Sequence, residues 1–370
     1  MFNLLQIIKW NIRFFVKKLL LFIVNFVVSI IFYKKYKFKH KEVKNIGILF
    51  TKNLGIGDLV MLSPGIEKIA KIFRKSNIDL ITWIPEVITF SDNVNWVSEA
   101  KGLQKKYDLI ISPTLNLLHL KFIFKAKYYI GYFSNFSLKA NFKYKKQTYN
   151  ERTDHYLNRI DAIIFSLKKN KHKKITKDKY NNLKDNQNKI FTQYNLSNNY
   201  VVFGAFSKWI DRQWNLDDIV KTIDYLITTK GVKEVVFIGL SDDISITKME
   251  YVLKHVKEPQ KITSLLGKTS LQDINDLCKK SKLFIGVDSG PSHLAYLSAT
   301  KVITIFITVK PALRLPKIDL KNIKAIYPFP APKQSLFDGL GPVRNDISQK
   351  YINNIRYSDI VIAIDSLINN

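Results

Sequence analysis

The sequence predicts an α/β protein: two doubly wound parallel-sheet domains facing a cleft, plus an N-terminal membrane-associated helical segment. Three observations carry this. Short β-branched runs alternate with helix-like stretches, which is the pattern of a parallel sheet. That alternation begins near residue 45, stops in a polar lysine- and asparagine-rich stretch at 167–198, and restarts at residue 200. A continuous apolar run stands ahead of both halves. The 370 residues exceed one ordinary domain and suit two, and a hydrophobic fraction of 46% is enough to build their cores.

The apolar run covers residues 19–33, between Lys17-Lys18 and Lys34-Lys35. It is shorter than the roughly 20 apolar residues that a spanning helix needs. Upstream, Lys9, Arg13 and Lys17 recur at i, i+4 spacing and share one helical face, while Trp10, Phe14 and Phe15 suit the headgroup zone. This reads as a helix lying in the plane of a membrane interface, peripheral or monotopic, and not as a clean span. The lysines at 34, 35, 37, 39, 41 and 44 add attraction to anionic lipid. No small-residue cleavage site follows the run, which argues against a signal peptide. A core helix of the soluble body is the plainer alternative.

From residue 45 the strands read in order. NIGILF (45–50), IDLITWI (78–84), YDLIIS (107–112) and KYYIGYF (127–133) belong to the first half, with a helical pattern through GIEKIAKIFRKS after the first. YVVFGAF (200–206), EVVFIGL (234–240), KLFIGVD (282–288) and KVITIFI (301–307) belong to the second. The resulting boundaries are 1–44 for the membrane segment, 45–180 and 198–345 for the two domains, and 346–370 for a C-terminal helix.

Formal net charge is +29, from 59 Lys+Arg against 30 Asp+Glu. Such a surplus favours anionic partners: nucleic acid, anionic lipid or phosphorylated substrates. Compositional bias with solvated lysines explains it equally well. The single cysteine, Cys278, excludes an intramolecular disulfide and a cysteine metal cluster, and it lies in a helix-like stretch as a small core residue.

Three loops carry candidate chemistry. In LFIGVDSGPSHLAYLSATKVITIF (283–306) a strand ends at Asp288 and a helix begins near Pro291, whose missing N–H is no loss in a first turn. Ser289 or Gly290 can cap, and Gly290 lets a phosphate approach the backbone. The free N–H groups of that turn form an anion site, to which Ser292 and His293 can add donors. An ordinary capped helix is the competing account. In ILFTKNLGIGDLVMLSPG (48–65) a strand enters a loop with Gly55 and Gly57, then Asp58. This is not the dinucleotide fingerprint G-x-G-x-x-G. Asp58 stands where α/β sheets place their ligands, either as a general base or as a helix cap. In AFSKWIDRQWNLDDI (205–219), Ser207 with Lys208 or Arg212 can hold phosphate oxygens, or form a solvated surface loop.

The order GIGDLVMLSP, SKWIDRQW, GVDSGPSHLA resembles glycosyltransferase family 9, the bacterial ADP-heptose:lipopolysaccharide heptosyltransferases. TDHYLNRIDAIIFSL (153–167) and RYSDIVIAIDSL (356–367) are similar to its helix ahead of the interdomain connection and its C-terminal helix. The likeness covers about residues 45–368. It implies two Rossmann-like domains in the GT-B architecture, the first binding acceptor and the second binding donor. It implies inverting, metal-independent sugar transfer without a cofactor, from a nucleotide-diphosphate sugar (ADP-heptose) to a lipid-linked or polysaccharide acceptor. By position Asp58 matches the catalytic base, with Gly55 and Gly57 on the acceptor side. Arg212 matches a donor-phosphate lysine, with Ser207 and Lys208 nearby. Asp288, Ser289, Gly290, Pro291, Ser292 and His293 match the donor-sugar and pyrophosphate loop, and Asp242 or Asp243 the ribose contact. Three features depart from the family: Arg at 212, Lys310 before Pro311 where an acidic-proline turn is usual, and the N-terminal segment.

Two other functions compete. A sugar-nucleotide epimerase would share the two-domain architecture but needs no membrane segment. A nucleic-acid-binding protein is motivated by charge alone. It would interleave basic and aromatic residues on one face, as 125–146 partly does.

Overall fold

The computed structural model describes residues 42–50, 55–112, 124–131, 189–207, 212–298, 300–316, 321–329 and 351–368. The N-terminal segment, Lys208, the 153–167 stretch and most of 167–198 lie outside the described residues. Among the described residues, no helix is long and apolar enough to cross a membrane.

The first half builds a five-stranded sheet. Its strands are β1 (Asn45–Phe50), β2 (Asn77–Thr82), β3 (Val94–Val97), β4 (Tyr107–Ser112) and β5 (Ala126–Gly131), in the order β3-β2-β1-β4-β5. All four pairings are parallel. β1 and β2 are buried from their second residue onward, so their apolar runs are continuous, as strands covered on both faces require. Tyr128 and Tyr129 of β5 are also buried, Tyr129 donating from its hydroxyl to Phe124 O. In the described part of 125–146 the aromatic residues are therefore core, not a nucleic-acid face.

Helix α1 (Ile56–Ile72) begins earlier than the sequence pattern suggests and runs through Pro64. Proline removes the N–H that would bond the carbonyl four residues back, here that of Val60. The Ser63 hydroxyl donates to Val60 O at 2.8 Å, so the carbonyl that Pro64 leaves behind is satisfied. Gly55 is the N-cap residue, and Asp58, at the third helical position, reaches back to accept from the Gly55 N–H at 2.8 Å. The short α2 (Glu99–Gln104), capped by Ser98, follows β3.

The second half builds a six-stranded sheet from β6 (Tyr200–Gly204), β7 (Glu234–Phe237), β8 (Ile262–Ser264), β9 (Phe284–Val287), β10 (Val302–Ile305) and β11 (Ile323–Ile326). The order is β11-β10-β9-β6-β7-β8, again wholly parallel. Its helices are α3 (Lys189–Tyr194), α4 (Leu216–Thr228), α5 (Asp243–His255), α6 (Leu271–Lys280), α7 (Gly290–Leu297) and α8 (Tyr357–Leu367). Cys278 of α6 is fully buried, and burial pushes its thiol far up. The C-terminal α8 joins this domain's core: Tyr225 of α4 donates to Asp365, and Lys230 pairs with Asp365 at 3.0 Å. In both sheets the first strand lies between its second and fourth, the doubly wound arrangement that opens a crevice at its carboxyl ends.

Candidate functional site at the facing helix starts

Each sheet's switch point carries one of the loops singled out above. β1 leads to Gly55 and α1; β6 leads to Ser207 and Arg212; β9 leads to Asp288 and α7; and β10 leads to Arg314. The first turns of α1 and α7 meet across the domains, one glycine opposite each approach. A Cβ on Gly57 would stand 2.4 Å from Cδ2 of His293, and one on Gly290 would stand 2.4 Å from Cγ2 of Ile56. Any side chain at either position would force the helix starts apart. Glycine at 57 therefore sets the His293 ring directly beside Asp58's turn.

Asp288 is the centre of charge. It is 4% exposed. Arg212 Nη1 donates to its backbone carbonyl at 3.0 Å and stands 3.8 Å from Oδ2, while His293 Nε2 lies 3.4 Å from Oδ1. Burial alone would raise this carboxyl, but Arg212, His293 and Arg314 more than offset it and hold it well below the usual carboxylate range. Two guanidinium groups around one carboxylate leave the pocket net positive, which suits a diphosphate. Arg314 was not a sequence candidate. Its only signal is a basic residue in the loop after the buried strand β10.

Three buried polar atoms here have no hydrogen-bond partner among the described residues: Asp288 Oδ2, Ser289 Oγ and His293 Nδ1. Buried polar groups are normally bonded, so three converging in one first turn mark a place for a polar ligand. Nε2 faces Asp288, so Nδ1 is the ring nitrogen left for a ligand.

The remaining candidates divide. Ser289 is the N-cap residue of α7 but makes no capping bond through its side chain. Pro291 occupies the first turn. The Ser292 hydroxyl does not face a ligand: it is buried and donates to Val287 O at 2.6 Å, because the strand's last carbonyl lies directly beneath it. Asp242 is the N-cap of α5, accepting from Ser245 N at 2.8 Å, and Asp243 is exposed in that helix's first turn. A ribose contact from Asp242 would compete with this cap. Ser207 is half-buried, and its carbonyl accepts from Gln213. Lys248 of α5 donates to Gln213 at 2.5 Å and is lowered by burial against the raising effect of Asp242. Lys248 therefore adds a cation to the loops after β6 and β7. On Asp58, Oδ2 takes the Gly55 N–H and Oδ1 makes no hydrogen bond among the described residues. Among the described residues no group of three or more His, Cys, Asp or Glu is placed to hold a metal ion.

Comparison with known proteins bears on the fold and on the family. The solved glycosyl transferase family 9 structure from Veillonella parvula DSM 2008 superposes with a TM-score of 0.66 at 16% identity, covering 90% of this chain and 99% of that one. The structure of E. coli ADP-heptose lps heptosyltransferase II gives 0.63 at 15% identity, covering 88% and 98%. At such identities the likeness is one of fold. In sequence, the chain is 28% identical over 175 residues to lipopolysaccharide heptosyltransferase 3 of E. coli K12. That alignment spans 47% of each protein, so the chain matches about half the length of this relative. Residues 96–324, more than half of the chain, match the profile of glycosyltransferase family 9 (heptosyltransferase), and the chain belongs to that family.

Proposed function

We propose that the chain moves a sugar, heptose or a related one, from a nucleotide-diphosphate donor to a lipopolysaccharide or other cell-surface glycan acceptor. The observation that carries this is the meeting of α1 and α7, which brings Asp58 beside the net-positive pocket of Asp288, His293, Arg212 and Arg314. In this reading the domains have the GT-B architecture and the reaction proceeds with inversion and without metal. ADP-heptose is the donor named for the E. coli heptosyltransferase II relative.

The donor diphosphate sits over the first turn of α7, taking the N–H groups of Gly290 and Ser292 and the orphaned Ser289 hydroxyl. Arg212 and Arg314 balance its charge. Asp58 takes the proton of an acceptor hydroxyl through Oδ1. The acceptor oxygen then bonds to the anomeric carbon from the face opposite the diphosphate. The anomeric carbon–oxygen bond breaks, and its electron pair leaves with the nucleotide. Purified full chain incubated with ADP-, UDP- and GDP-sugars tests this: one class should raise Tm and be turned over only when a glycan acceptor is added. Stabilisation by none of them would remove the proposal.

The N-terminal segment is read as holding this enzyme in the plane of the inner membrane's cytoplasmic leaflet. Deleting residues 1–33 should move the protein to the soluble fraction while donor binding is retained. A cysteine placed near the N-terminus that is labelled from the periplasmic side would show a spanning helix instead.

A further inference from the structure

The amino edge of the first sheet is strongly basic. The residues that lead into and open its five strands, 42–45, 74–79, 91–95, 105–108 and 124–127, hold seven Lys or Arg against four Asp or Glu. Two of the acids are already paired, Glu42 with Lys127 at 2.7 Å and Asp79 with Lys105 at 2.8 Å. A third, Asp108, accepts the backbone N–H groups of Lys44 and Asn45 through one oxygen. The fourth, Asp92, stands at the β3 corner. Lys44, Arg74, Lys75, Lys106 and Lys125 are left exposed, with no ion pair or side-chain hydrogen bond among the described residues.

Sheet register sets these five side by side. Asn77 N donates to Lys44 O, and Tyr107 N donates to Lys125 O, so the starts of β2, β1, β4 and β5 follow one another along the edge. At about 4.8 Å per strand the row is about 15 Å long. That is one to two Debye lengths at about 8–10 Å each, so the cations act as one field.

Charge alone does not single out this edge, because Lys233, Lys282 and Lys301 hold the same positions ahead of β7, β9 and β10 in the second sheet. The path of the chain does. The described body begins at Glu42, three residues before β1, and the Glu42–Lys127 pair ties that entry to the start of β5. Ahead of it the sequence runs through Lys41, Lys39, Lys37, Lys35 and Lys34 to the apolar run at 19–33. Nine residue steps reach roughly 30 Å at most. A membrane that holds the apolar run is therefore close to this edge.

We propose that the amino edge of the first sheet is a membrane-docking face, taking the phosphates of an anionic bilayer through Lys44, Arg74, Lys75, Lys106 and Lys125. The proposal rests on the reading of residues 1–33 as a membrane segment, and adds which face of the body turns to the lipid. A single-stranded nucleic acid would also seek aromatic rings for its bases, but Tyr107, Phe124 and Tyr128 of this edge are buried. Asp58 follows the opposite end of β1, whose six residues at about 3.3 Å put the cleft about 20 Å from the headgroups. In the transferase reading, the acceptor hydroxyl then belongs to a sugar carried that far from its lipid.

The test uses the full chain with vesicles of phosphatidylcholine, with or without phosphatidylglycerol. Phosphatidylglycerol should strengthen binding, and added salt should reverse the gain. One lysine near an anionic surface contributes about fivefold. Joint Lys44→Gln, Lys75→Gln and Lys106→Gln should therefore cut the gain by about tenfold or more, while joint Lys233→Gln, Lys282→Gln and Lys301→Gln should leave it intact. Orientation is read separately. Cys278 is fully buried, so a fluorophore can be placed through Asn77→Cys at the amino edge or Ala100→Cys at the other end of the sheet. A headgroup-bound quencher should dim the first and spare the second. Equal loss from both lysine triples would overturn the proposal, as would quenching at position 100 and not at 77. So would a random RNA oligomer that binds through the first triple while phosphatidylglycerol adds nothing. A chain that binds neither kind of vesicle would overturn the reading of residues 1–33 as well.

Discussion

Replacing Asp58 with asparagine is expected to lower turnover by on the order of a hundredfold or more, the contribution of a general base. Donor affinity should not change. Asparagine is chosen because it keeps the amide oxygen that can accept from the Gly55 N–H, the bond that closes the start of α1 at 2.8 Å. It removes only the ability to take a proton. Asp58→Ala also loses the capping bond, which costs about 0.5–2 kcal/mol in its own right, so its turnover would mix chemistry with stability. The measurement is kcat with saturating donor and acceptor, beside a nucleotide titration. An Asp58→Asn protein with full kcat would leave Asp58 as a helix-start residue and nothing more.

The second large effect is on stability. Asp288 is buried between Arg212, His293 and Arg314, so Asp288→Ala leaves buried cations without their counter-charge. Removing one partner of such a group typically costs about 3–5 kcal/mol. Urea denaturation at neutral pH should show a loss of that order. The pH dependence has a definite sign. The folded carboxyl titrates below its unfolded value of about 3.9. Its stabilisation is therefore fully present above that value and lost as pH falls through the depressed folded one. Wild-type stability should decline at acid pH by a component that Asp288→Asn lacks. An Asp288→Asn protein with an unchanged acid limb would show that the neighbouring cations do not act on this carboxyl.

Parts of this molecule were legible in the chain because local pattern decides them. β1 and β4 have the bounds that their apolar runs suggest, Asn45–Phe50 and Tyr107–Ser112, since a strand covered on both faces must be apolar throughout. Strands β3, β8 and β11 escaped notice for the converse reason. They are three or four residues long, lie at or near sheet edges, and are only partly buried, so neither alternation nor a continuous run marks them. The start of α1, at Ile56, also lies ahead of the helical pattern at 65–76. Pro64-Gly65 reads locally as a break, and only the Ser63 bond to Val60 O shows how the helix passes through it.

The site divides in the same way. The sequence by itself determined the two parallel-sheet domains and singled out two strand-to-helix loops, because a strand ending in Asp288-Ser289-Gly290-Pro291 or leading to Gly55–Asp58 can be recognised within one short window. The tertiary structure alone decided which groups meet. Arg212 and Arg314 reach Asp288 from loops after two other strands, and Gly57 receives the His293 ring from the opposite domain. Ser292 was turned away from the ligand side by the carbonyl of Val287 beneath it. These outcomes depend on sheet order and helix approach, and no side-chain periodicity encodes a contact between residues some 26 to 236 positions apart.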